Sequence, residues 1–155
     1  GRWNPVAPLP HEAVCATACV LNGRLFVAGG EYSDRLQMWD TKKWTLKAPM
    51  PAERDNAASV VHEGKMMVIG GYVNREPSTS VILYDPQTDT WADGPPLPSP
   101  RSGCRAVEHA GAVILVGGIP TLRFKDGAWA ELPDIPGHDH RGPLRQAAVQ
   151  LVLLG

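Results

Sequence analysis

Apolar residues fall into short runs that recur at matching places along the chain. Leu25-Phe-Val-Ala28, Met66-Met-Val-Ile69 and Val113-Ile-Leu-Val116 each end at a glycine pair: Gly29-Gly30, Gly70-Gly71 and Gly117-Gly118. Short apolar runs without alternation are expected of strands covered on both faces. Before each run lies a stretch of small alternating residues (Val14 to Val20, Asn56 to Val61, Gly103 to Val107) and then a turn pair, Asn22-Gly23, Glu63-Gly64 or Ala110-Gly111. Asn-Gly between strand-like runs predicts a tight hairpin. A second hairpin follows each glycine pair and ends in Trp44, Trp91 or Trp129, with an aromatic five residues earlier in the first and third and seven earlier in the second. Proline-rich links come next, beginning at Ala48, Pro95 and Leu132. Proline cannot sit inside a central ladder, so these links are expected to pass between units.

The markers shift together. Gly29 to Gly70 and Trp3 to Trp44 are both 41 residues, while Gly70 to Gly117 and Trp44 to Trp91 are both 47. Two independent markers moving in step mean that a whole unit is repeated, at a period typical of propellers and solenoids. Four strands per unit predict an all-β chain, a β-propeller of four-stranded antiparallel blades. The blades are expected at about 11–50, 52–97 and 101–133, with partial blades at 1–9 and 138–155.

These residues resemble the kelch repeat family. The resemblance rests on the glycine pairs, on Tyr84-Asp85-Pro86-x-Thr88-x-x-Trp91, and on an Arg sixteen residues before a glycine pair, Arg54 and Arg101. The first unit departs from it with Ala13 in the Arg place, and the third uses Phe124-Lys-Asp for Tyr-Asp-Pro. Kelch propellers usually have six or seven blades, so the resemblance implies an internal piece of a longer ring; the alternative is a four-bladed ring closed by Arg2-Trp3 pairing onto the tail. It also implies that the first strand of each blade is innermost.

Composition narrows the function classes. With 15 basic and 16 acidic residues, a net charge of −1 and no long run of either sign, neither nucleic acid nor a membrane surface is an expected partner. The three cysteines, Cys15, Cys19 and Cys104, have no CxxC spacing, so no disulfide framework or zinc site is expected. They read as reduced, buried thiols of an intracellular protein, cytoplasmic or nuclear.

With the first strand innermost, the loops after the glycine pairs share one face with the proline-rich links. The candidate binding residues there are Tyr32, Arg54, Tyr72, Asn74, Arg75, Arg101, Ser102, His138 and Arg141. Tyrosine and arginine anchor interfaces well, and the arginine fork suits carboxylates, so a protein or acidic peptide is the expected partner. For Arg54 and Arg101 the competing reading is structural, pairing with backbone carbonyls between blades. His138-Asp139-His140 reads as a polar loop because no further ligands complete a metal site. His62 and His109 read as turn-edge surface on the opposite face, and the repeated tryptophans as packing between blades. No GxSxG, HExxH, Walker or GxGxxG pattern is present. No catalytic residue or cofactor is therefore expected. The expected function is a non-catalytic protein-binding scaffold, and the family resemblance suggests the substrate-recognition module of a ubiquitin ligase. The alternative is a kelch-type oxidase or carbohydrate-active enzyme fragment. Self-association is expected if the propeller is incomplete, because an open ring leaves apolar blade faces uncovered.

Overall fold

A computed structural model describes residues 2–118 and 120–133 of the 155-residue chain. Those residues form strands, turns and links, with no helix among them. The first sheet runs β1 (Thr17–Leu21), β2 (Arg24–Ala28), β3 (Leu36–Trp39) and β4 (Trp44–Lys47), in that order. After the short β5 (Arg54–Asp55), the second sheet joins β6 (Ala58–His62) and β7 (Lys65–Ile69) to β10 (Val81–Asp85) and β11 (Thr90–Asp93). The loop between β7 and β10 carries β8 (Tyr72–Val73) and β9 (Glu76–Pro77), which form a small sheet with β5. The third sheet runs β12 (Arg105–His109), β13 (Ala112–Val116), β14 (Leu122–Lys125) and β15 (Ala128–Glu131). All pairings are antiparallel, so each of the three four-stranded sheets is a meander, as a propeller blade requires.

The hairpin predictions have a backbone cause. Leu21 pairs with Arg24, His62 with Lys65 and His109 with Ala112, leaving two-residue turns. Both turn residues have positive φ: 51° and 71° in Asn22-Gly23, 49° and 74° in Glu63-Gly64, 50° and 74° in Ala110-Gly111. That is the type I′ geometry whose twist matches antiparallel strands.

The first strands begin a little later than the alternating pattern suggests. Cys15, Asn56 and Gly103 stand 41 and 47 residues apart. All three are left-handed, with φ of 58°, 50° and 68°. They also hydrogen-bond from blade to blade: Asn56 N–H donates to Cys15 O (2.9 Å) and Gly103 N–H donates to Asn56 O (2.8 Å). β1 lies beside β6, and β6 beside β12, with the Thr17 hydroxyl bonded to Ser59 Oγ at 2.6 Å. This stacking of first strands agrees with their expected innermost place.

The core lies between blades. One cluster joins Phe26, Leu36 and Met38 of the first sheet to Met66, Val68 and Tyr84 of the second. Another joins Val60, Met67 and Val81 of the second to Val113, Leu115 and Phe124 of the third. Each closing tryptophan meets the aromatic across from it. The centroids lie 5.4 Å apart for Trp39–Trp44, 5.1 Å for Tyr84–Trp91 and 5.1 Å for Phe124–Trp129. Their indole N–H groups all donate, at 2.9 Å, to the link of the preceding unit: Trp44 to Ala7 O, Trp91 to Ala48 O and Trp129 to Pro95 O. The tryptophans therefore bind each blade to the chain that enters it, the interblade role expected of them.

Two expectations need correction. Cys15 is exposed and Cys19 half-buried, so only Cys104 is a fully buried thiol. Burial pushes the Cys19 thiol up to about 11. His62 is no turn-edge surface group: its Nδ1 lies 3.4 Å from Glu108 Oε2 and its ring meets Phe124 edge-on. It joins the second blade to the third, while His109 is exposed as expected.

Candidate functional site

Two arginine-centred junctions support the loop face from below. Arg54 lies on β5 and is only 5% exposed. Its carbonyl oxygen accepts the Gly30 N–H at 2.9 Å and lies where a side chain on Gly29 would have to start. Its guanidinium reaches the next blade, donating to Gly70 O and to Ser80 Oγ (2.6 Å). Burial pulls this guanidinium down to about 10, which leaves it cationic at neutral pH. Arg101 repeats half of this pattern. Its carbonyl accepts the Gly71 N–H at 2.7 Å and blocks a side chain on Gly70. Arg101 is 7% exposed, and its guanidinium donates to Pro120 O at 2.7 Å; Pro120 stands at the place of Ser80 and has no hydroxyl to accept a second bond. Among the described residues, its Nε and Nη2 find no partner. With Ser99, Pro100, Ser102, Gly117 and Gly118, Arg101 lines a cleft of about 210 Å³.

The glycine pairs thus have a steric reason, since a neighbouring carbonyl occupies the Cβ position at a left-handed backbone. The arginines follow the structural reading. Arg54 is buried, donates to Gly70 O and Ser80 Oγ, and lines neither cleft.

A larger groove, of about 550 Å³, opens above the first junction. It is lined by Glu31 and Tyr32 after the first glycine pair, Glu53 and Asp55 of the link, and Tyr72, Asn74 and Arg75 after the second pair. Backbone pairing holds these three segments together. Asp55 pairs with Tyr72 and Arg54 with Val73, and the strand returns through Val73–Glu76. Asn74 and Arg75 make the tip of that hairpin with φ of 52° and 67°, another pair of left-handed residues. On the other wall, Glu31 N–H donates to Val14 O at 2.8 Å, and Arg54 N–H to Ser33 O at 3.1 Å.

The structure brings Tyr32, Tyr72, Asn74 and Arg75 together, and it places Arg101 and Ser102 in the second cleft. His138 and Arg141 lie outside the described residues. Of the groove's carboxylates, Glu31 and Asp55 fall on the loop face by position, and Glu53 is the one that residue type passes over. Strand alternation is the signal that finds it: Arg54 points into the fold, so Glu53 and Asp55 on either side point out of it. Arg75 is placed over the Tyr32 ring, 5.5 Å from its centroid. Glu31, Glu53 and Asp55 have no ion pair among the described residues. No group of three or more His, Cys, Asp or Glu side chains among the described residues is close enough to hold a metal ion.

Residues 53–98, from the groove's central link to the end of the second blade, match the family model described as the Kelch motif. The chain carries a kelch repeat. Its Arg54, its glycine pair and its Trp91 are the features that tie the kelch repeat to its neighbours. Among solved structures, the chain is similar to one titled "Structure of YjhT", at a TM-score of 0.74 and 18% sequence identity. The likeness covers 83% of this chain and 54% of that one, so this chain spans about half the length of that structure. At that identity the likeness shows the fold, a segment of a β-propeller. No curated protein matches the sequence.

Proposed function

We propose that this kelch-repeat chain is a binding module that holds a segment of a partner protein in the groove between its first and second blades. The observation that carries this reading is the groove itself. Its walls come from Tyr32, Tyr72, Asn74 and Arg75, on loops whose lengths and residues differ between units, while the repeated residues are spent on holding blades together. Variable loops on a rigid scaffold are where binding surfaces are usually carried. Two tyrosines supply broad contact area at low entropic cost, and the polar groups between them orient a bound chain. The substrate-recognition module of a ubiquitin ligase is one setting in which such a groove would act.

Selection from a displayed peptide library tests the reading, with the selected peptides then measured against Tyr32→Ala. Tyr32 is 69% exposed, so its loss leaves the fold intact. Peptides that bind the native chain and lose affinity for Tyr32→Ala support the proposal. Peptides that bind both equally, or copper at one equivalent with oxidase turnover, overturn it.

A further inference from the structure

We infer that the occupant of this groove is a basic peptide segment, one that carries lysine or arginine side chains, and not an acidic one. The inference rests on the reading of the groove as the binding site and adds its charge preference. Three lining residues, Glu31, Glu53 and Asp55, are carboxylates, against a single cation, Arg75. That cation is already engaged with the Tyr32 ring, whereas the carboxylates meet no cationic partner among the described residues. Of the two arginines that would have favoured an acidic ligand, Arg54 is buried beneath the groove without lining it, and Arg101 lines the separate second cleft. An acidic segment entering here would meet three like charges, and like charges across an interface cost more than rim attraction returns.

The shape of the groove favours an organic cation over a metal ion. Its volume of about 550 Å³ is that of a small-ligand or peptide site. The carboxylates are spread along its walls and do not converge within metal-binding distance. Tyr32 and Tyr72 supply ring faces on which a guanidinium or an ammonium can rest. Arg75 already shows this geometry with Tyr32. A basic side chain of the partner would reach the Tyr72 side of the groove, with Glu53 and Asp55 as its counter-charges.

Fluorescence anisotropy with two labelled Gly/Ser peptides tests the inference, one carrying two arginines and the other two glutamates in the same places. The native chain is expected to bind the arginine peptide. Glu31→Gln with Glu53→Gln is expected to weaken that binding by about tenfold, and both residues are exposed, so the fold is kept. Glu63→Gln, at the β6–β7 turn, is expected to leave it unchanged. Binding of the glutamate peptide, lost in Arg75→Ala, overturns the charge preference and leaves the groove as the site. Binding of the arginine peptide that Glu31→Gln with Glu53→Gln does not weaken also overturns it. Failure of both peptides to bind overturns the charge preference together with the reading of the groove.

Discussion

The Arg54 guanidinium donates to the carbonyl of Gly70, while its own carbonyl accepts from Gly30. One residue of the link thereby holds the glycine pairs of two consecutive blades. Arg54→Ala removes the donors of Gly70 O and Ser80 Oγ inside a buried junction, and a loss of about 2–4 kcal/mol is expected. Arg75→Ala, by contrast, takes away an exposed side chain from the groove and should change stability by less than about 0.5 kcal/mol. Urea denaturation of the two variants checks this. Equal losses would mean that Arg54 is no more structural than Arg75.

Asp89 gives the second blade a pH-dependent tie to the link before it. Its carboxylate accepts from Ala48 N–H (3.0 Å) and the Tyr84 hydroxyl (2.7 Å), and pairs with Lys47 at 3.2 Å. These bonds hold it below the usual carboxylate range, led by the backbone bond from Ala48. A depressed folded value stabilises the fold above the unfolded carboxylate range, and that stability is lost as pH falls through the folded value. Asp89→Asn keeps the left-handed backbone and removes the charge. It should cost about 1 kcal/mol near pH 7, because the side chain is partly exposed, and the difference from the native chain should shrink below about pH 4. Thermal melts across that range measure it.

Ala110 occupies the first place of a type I′ turn at φ of 50°, where the first unit has Asn22. Alanine is strained there and asparagine tolerates it. Ala110→Asn is expected to stabilise the chain by about 0.5–1 kcal/mol, seen as a higher urea midpoint with an unchanged slope.

Much of this fold was legible because single residues answer to steric rules at fixed spacing. The shifts of 41 and 47 residues reappear in the carbonyls that receive the tryptophan N–H groups, Ala7, Ala48 and Pro95. Asn22-Gly23 announced its turn, and the glycine pairs announced close approach. The segment after Gly71 was harder to read. Its hairpin turns on Asn74-Arg75, which lacks the glycine that usually marks a type I′ turn, and its pairing partner is a link from another part of the unit. The groove was half legible for a related reason. Tyr32, Tyr72 and Arg75 stand out by residue type, whereas Glu53 gains meaning only once Arg54 is known to face inward. His62 was misread because its partners, Glu108 and Phe124, come from the next blade, which local pattern does not show.

Hydrogen exchange of the native chain, with and without the arginine-bearing peptide, tests the central claim most directly. Slower exchange at residues 31–33, 53–55 and 72–76, with the turns at 63–64 and 110–111 unchanged, is the predicted result. Protection that spares those three segments and falls on the turns, or elsewhere in the chain, would contradict it.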